Sequence, residues 1–261
     1  HLRMADGIVT FDRPAAVRHL ATAALRGAAG YCLAARRPDL LQRCFKPGQG
    51  GSRPPAGLFQ PLHDRATTAD GFAFRIVTWD PEGDFLPGLA EALCADAPGR
   101  PFGDNGARIA AVEIGPIQGL VYDHDGAAGT AWCLRLRTPL CLERLGKPVD
   151  ADALTLGLIV QATAWRLNLL SEHYGNRSQL DAPAWMAEAS LARERRRDLQ
   201  FVEPKRWSSS QKRGVSLAGV VGEVVVTGLT AEVVALLSTG GVVHVGKHTG
   251  EGCGHVLIDP A

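Results

Sequence analysis

Hydrophobic and polar residues recur with legible periods along most of the chain. Residues 8–11 are a short apolar run that reads as the end of a strand. Pro14 stands where a helix can open, and Val17, Leu20, Ala24, Ala28 and Tyr31 follow at three- and four-residue steps on one face. His19, Thr22 and Arg26 fall on a second face of the same helix, which should end near Arg36 and Arg37, before Pro38. Residues 41–65 are rich in Gly and Pro and read as a loop carrying Arg43, Lys46 and Arg53. Residues 72–79 suit a strand, 87–93 a helix and 108–114 a strand, with 120–122 as a candidate fourth strand.

The second half repeats this plan. Residues 132–136 read as a strand and 153–174 as a long helix closed by Gly175-Asn176. Residues 183–200 read as a helix with a very basic C-terminal end. Residues 215–226 are β-rich, with breaks at Gly219 and Gly222. Thr230 caps a short helix over 230–237. Residues 242–245 and 255–258 read as two last strands around a glycine loop. The pattern predicts an α+β protein of two tandem ferredoxin-like (RRM-like) domains, at 1–125 and 126–261. The second carries an arginine-rich helical insertion at 183–200 and a glycine-rich loop at 246–254.

Composition supports a packed globular chain, with 46% hydrophobic residues among 261. The net charge of +1 names no partner, but its distribution does. Between Arg13 and Arg53 eight Lys/Arg face a single Asp39, and between Ser190 and Arg213 eight face three acidic residues. Two basic blocks on an otherwise acidic chain suit a long anion. The six cysteines form no CxxC pair and read as reduced, mostly buried thiols of a cytoplasmic protein. No signal peptide is visible, and the most apolar stretch, 151–170, carries Asp152, Gln161, Arg166 and Asn168, so no membrane span is expected.

The glycine-rich segment 240–254 needs its own test. Gly241, Gly246 and Lys247 match the start of a phosphate loop, but His248 stands where Ser or Thr would hold magnesium, and no helix follows. Gly246, Gly250, Gly252 and Gly254 let the backbone come close to a ligand or to another chain segment, and Lys247 and His248 add donors there. His244, His248, Cys253 and His255 cluster without a zinc spacing. No metal and no cofactor are expected.

This loop resembles the glycine-rich loop of the RAMP superfamily, of the form G-x-G-K-x-x-G-x-G-x-G. Leu25-Arg26-Gly27-Ala28, Leu58-Phe59-Gln60-Pro61 and Arg206-Trp207-Ser208-Ser209-Ser210-Gln211, followed by Leu217-Ala218-Gly219 and Gly222, resemble segments of its CRISPR repeat-processing branch. The resemblance implies a metal-independent endoribonuclease. It would grip a CRISPR repeat stem-loop and cut once by 2′-OH attack, leaving a 2′,3′-cyclic phosphate. It would then remain with other subunits of an RNA-guided effector complex.

Such chemistry needs a base, cations on the pentavalent phosphate and an acid for the leaving oxygen. The family places a His near the first helix, yet residues 36–46 contain none. The candidate catalytic set is therefore His19, Arg26, Tyr31 and Arg37, with His19 as the base, since arginine does not deprotonate. Candidate RNA-binding residues are Arg36, Arg43, Arg193, Arg196, Arg197, Lys205, Arg206, Ser208, Gln211, Lys212, Arg213, Gly246, Lys247, His248, Gly250 and Gly252. On the expected helix, Arg193, Arg196 and Arg197 share a face that would grip A-form RNA by its phosphates. That helix favours the branch found in type IV CRISPR systems. The rival readings are a RAMP subunit that coats guide RNA without cutting it and a small-molecule enzyme on the same fold.

Overall fold

The computed structural model describes residues 2–15, 21–45, 53–62, 70–102, 105–119, 131–175, 177, 179–208 and 213–261, with backbone alone at 206–208 and 213. They group into two compact units. One comprises residues 1–121 with 173–175 and 250–252, the other 122–172, 176–249 and 253–261.

In the first unit β1 (Arg3–Phe11) is the central strand. Its alternation buries Ala5, Val9 and Phe11 and turns Ile8 and Thr10 outward. It pairs antiparallel with β3 (Gly71–Thr78) and β4 (Ala107–Ile114), while β2 (Gly57–Pro61) pairs with β3. The sheet order is thus β2-β3-β1-β4, extended by the short strand Pro101–Phe102 beyond β4. Helices α1 (Ala21–Arg36) and α2 (Phe85–Asp96) supply Leu25, Ala29, Leu33, Leu86, Leu89 and Leu93 to a core shared with Phe74 and Ile76. The buried Asp80 carboxylate accepts the N–H groups of Gly83 and Phe85 at 3.0 and 3.1 Å and so satisfies donors at the start of α2.

The second unit repeats the topology. Central β5 (Ala131–Leu140) pairs with β7 (Gly219–Thr227) and β8 (Val256–Pro260), and β6 (Arg193–Val202) pairs with β7, giving the order β6-β7-β5-β8. Its helices are α3 (Leu156–Tyr174), α4 (Ala182–Ala189) and α5 (Ala231–Val243). Asp181 caps α4 by accepting from Ala184 N, and Thr230 caps α5 by accepting from Val233 N. In both units the strands run second, third, first, fourth across an antiparallel sheet, which is the ferredoxin-like arrangement. The duplication that residue-by-residue identity does not show is carried by strand order.

Three expectations are corrected. The basic helix over 183–200 does not form: α4 stops at Ala189, and the arginine run is strand β6. From Arg193 to Asp198 the run contains no apolar residue, so a helix there would have no face to bury. Pairing along β7 satisfies the same backbone without one. No strand forms over 242–245: residues 242–243 end α5, in which Gly240 and Gly241 are helical, and 244–245 follow it. A Cβ on Gly241 would lie 2.3 Å from the Val256 carbonyl, so these glycines mark close packing rather than a break. The glycine-rich turn therefore lies between α5 and β8. Finally, the loop expected over 41–65 contains a π-helical turn, Leu41–Phe45, and the strand β2. Residues 120–122 lie outside the described residues.

The turn after α5 closes on itself. Val245 N donates to the Gly254 carbonyl and Gly254 N to the Pro139 carbonyl, both at 2.9 Å. Gly254 has φ 77°, and a Cβ there would sit 1.8 Å from the Val245 carbonyl oxygen. Gly254→Ala is expected to cost at least ~3 kcal/mol or to prevent folding. Gly99→Ala, at φ 82° with nothing within 4 Å, should cost only about 1–2 kcal/mol for the left-handed backbone. Urea unfolding of the two variants checks the contrast.

Candidate nucleic-acid interface

The basic residues expected to meet RNA differ in what holds them. At the C-terminal end of α1 carboxylates hold them. Arg36 is bidentate to Asp96, at 2.8 and 3.1 Å, and reaches Glu91 at 3.3 Å. The hydrogen bond to Asp96 raises its already high pKa. Arg37 is bidentate to Asp39 at 3.0 and 2.8 Å, with Asp84 at 3.7 Å. The Arg37 hydrogen bonds hold the Asp39 carboxyl down to about 2. A depressed carboxylate stabilises the fold above its ordinary value of 3.8 and loses that contribution as pH falls toward 2. Arg43 pairs with Glu82 and Asp84. These three arginines tie the end of α1 and the turn after it to α2 and the loop before it.

Nearer the start of α1 the arrangement differs. Arg26 donates to the Phe45 carbonyl at 3.1 Å and lies 4.1 Å over the Phe45 ring. Gly250 stands beside it, since a Cβ there would be 3.1 Å from Arg26 Nε. Thr22 Oγ1 donates to the Glu251 carbonyl at 3.3 Å, and Gly252, at φ 93°, leaves no room for a side chain against Thr22. The structure thus brings together Arg26, Gly250 and Gly252. Tyr31 is 58% exposed, with the Arg100 guanidinium 5.7 Å from its ring centroid. His19 lies outside the described residues.

In the second unit β6 presents its arginines by strand alternation. Arg195 is the extra residue of a bulge between Glu194 and Arg196, and it donates to Thr227 Oγ1. Arg193 is exposed. Arg196 is 64% exposed and touches Glu223 at 3.4 Å. Arg197, on the opposite face, turns back onto the protein. It grips Glu194 at 2.6 and 2.7 Å and donates to the Ala151 and Leu154 carbonyls. The chain then forms a two-stranded hairpin, Lys205–Ser208 against Arg213–Ser216, which carries the exposed Lys205 and the backbone of Arg206, Ser208 and Arg213. Gln211 and Lys212 lie outside the described residues.

In the glycine turn Gly246 and His248 both have positive φ, and Lys247 pairs with Glu143 while its N–H bonds to the Cys141 carbonyl. The buried His244 and His255 rings stack at 5.0 Å, with His244 Nδ1 2.9 Å from the Cys253 carbonyl. Among the described residues, no group of three or more His, Cys, Asp or Glu is placed to hold a metal ion, and no helix is long and apolar enough to cross a membrane.

Two residues outside the expected set belong to this surface. Arg53 lies 4.9 Å over the ring of Tyr174, whose hydroxyl donates to the Pro54 carbonyl. Their separation of more than a hundred residues hid the pair, although the stiff Arg53-Pro54-Pro55 sequence is a usable signal for a fixed cation.

Solved structures share this architecture from end to end. A Cas6 product complex is 17% identical with a TM-score of 0.64, over 99% of this chain and 100% of that one. Thermus thermophilus Cas6 is 13% identical with a TM-score of 0.59, over 99% of each chain. A RAMP protein binding different RNA substrates is 13% identical with a TM-score of 0.54, over 99% and 100%. No functionally curated protein matches by sequence.

Two ferredoxin-like units in one chain are the class of fold that these solved structures share with it. Within that class, residues 134–256 match the family model of the CRISPR-associated endoribonuclease Cas6, a stretch that includes β6, the basic hairpin and the glycine turn. That stretch is just under half of the chain, and the chain as a whole has the fold of the solved Cas6 structures.

Arg197→Ala should lower stability by about 1–2 kcal/mol through its lost carbonyl and carboxylate bonds, discounted for partial exposure. Arg196→Ala should stay within about 0.5 kcal/mol of the parent. Thermal unfolding of the two variants separates the structural arginine from the available one.

Proposed function

We propose that the chain is an endoribonuclease that binds CRISPR repeat stem-loops and cuts precursor CRISPR RNA to mature guides. The match of residues 134–256 to the Cas6 family carries this reading. In it, the 2′-OH attacks the adjacent phosphate without a metal and leaves a 2′,3′-cyclic phosphate. The protein works in the cytoplasm and stays on its product as a subunit of an RNA-guided effector complex. Exposed Arg193, Arg196 and Lys205, with the rest of the basic hairpin, grip the duplex backbone, because A-form RNA offers its phosphates rather than its major-groove edges. The cut is made near α1. There His19 is the base, Arg26 supplies charge and Tyr31 a hydroxyl.

The structure lends less to Arg37 in this scheme. Its guanidinium is committed to Asp39, with Asp84 nearby, as Arg36 is to Asp96 and Arg43 to Glu82 and Asp84. That commitment favours a second reading, a RAMP subunit that coats guide RNA and cuts nothing. The basis for the type IV branch falls with the arginine helix, since that run is a strand.

Incubation of the protein with labelled repeat hairpins in EDTA should give a single cut that a 2′-deoxy substitution at the cut site abolishes. Binding without cleavage on every repeat would establish the coating subunit instead. His19→Ala should lower the single-turnover rate by 10²–10⁴-fold if it is the base. Arg196→Ala and Lys205→Ala should each weaken binding and reduce the slope of log K against log salt by about one.

A further inference from the structure

Arg53 is exposed, yet it is not loose. Its guanidinium rests over the Tyr174 ring, and Tyr174 is itself fixed by its hydrogen bond to the Pro54 carbonyl and by edge contact with the buried Trp79, ring centroids 6.4 Å apart. Pro54 and Pro55 stiffen the backbone that carries it. Among the described residues no carboxylate forms an ion pair with Arg53, in contrast to Arg36, Arg37, Arg43 and Arg75. Burial pushes the Tyr174 phenol up, so at neutral pH it is a neutral shelf that leaves the cation's charge intact.

The same corner holds the other well-placed cation. Gly250 lies against both Arg26 and Pro55, a Cβ there being 3.1 Å from Arg26 Nε and 3.6 Å from Pro55 Cγ. Arg26 is fixed in turn by the Phe45 ring and carbonyl. Two guanidiniums, each laid on an aromatic ring, therefore flank one corner of backbone where Gly250 presents no side chain. An arginine held over a ring has little rotamer freedom left to lose, and the guanidinium fork of Arg53 suits two phosphate oxygens.

We propose that Arg53 is a phosphate-binding residue for RNA, that Tyr174 is its positioning residue, and that together with Arg26 they form a phosphodiester site at the Pro54–Pro55 corner. This rests on the RNA-binding reading above and adds a contact that reading lacks. Arg53 supplies the charge, Tyr174 sets its direction, and Gly250 lets the ligand backbone approach.

The test compares the parent protein with Arg53→Ala, Arg53→Lys, Tyr174→Phe and Tyr174→Leu, each checked for an unchanged melting temperature. An uncleavable repeat hairpin with 2′-deoxy at the cut site is titrated across a salt series. Arg53→Ala should weaken binding at least tenfold and lower the salt slope by about one. Arg53→Lys should recover the slope but only part of the affinity. Tyr174→Phe, which keeps the ring, should stay within about threefold, whereas Tyr174→Leu should approach Arg53→Ala. Arg53→Ala within twofold of the parent at an unchanged slope overturns the site. Tyr174→Leu matching the parent while Arg53→Ala does not overturns the positioning role. If the parent binds no repeat, the functional reading fails, and a 2′-deoxy uridine dinucleotide titrated calorimetrically reads the site by itself. Loss of its binding in Arg53→Ala upholds the site, and absence of binding to the parent overturns it.

Discussion

The missing Cβ at Gly254 is the constraint on which the glycine-rich end of the chain depends. It lets the peptide after the turn pass within bonding distance of Val245, and the two hydrogen bonds at 2.9 Å close the segment onto β5. Any side chain would push the Gly254 backbone away from Val245, because the obstacle is a carbonyl oxygen rather than a movable side chain. With the turn closed, Gly246 and His248 hold positive φ, Lys247 is locked to Cys141 through its N–H, and residues 250–252 reach Thr22 and Arg26. The motif is thus a structural clamp first. Its glycines are spaced by geometry, and their contribution to a ligand follows from where that geometry leaves the backbone.

Charge is distributed by the same economy of position. Many arginines of this chain are fasteners: Arg36 and Arg43 join elements across the first unit, and Arg197 ties β6 to the loop before α3. Among the described residues, Arg193 and Arg196 stay exposed along β6, and Arg53 is exposed over the Tyr174 ring. A count of basic residues overstates the interface, because a carboxylate within 3 Å cancels most of an arginine's reach toward a distant phosphate.

Much of this was legible in the sequence, and the losses have identifiable causes. The strand–helix–strand order, the limits of α1 before Pro38 and the Thr230 cap follow from periodicity and capping chemistry that act locally. The arginine run was misread because its residues are tolerated in helices, and its strand state is decided by β7, which lies beyond it in the chain. The end of α5 was misread because Gly240 and Gly241 look like breakers until the neighbouring Thr163 and Val256 are in place. The glycine turn and Arg26 stand out by their motifs, and the structure sets Gly250 beside Arg26. Arg53 and Tyr174 do not stand out, since nothing in either local sequence points to the other. The pairing of Arg37 with Asp39 is local, only two residues apart in the chain.

β6 is an edge strand, paired on one side only, and its first five residues hold four arginines. A second copy pairing antiparallel over residues 193–197 alone would set guanidinium against guanidinium, and that register would be repelled. The molecule is thereby discouraged from joining its sheets in that register while it waits for a ligand. A polyanion reverses the sign of that barrier, so the feature that keeps copies apart in its absence is the one that would draw a strand of phosphates in.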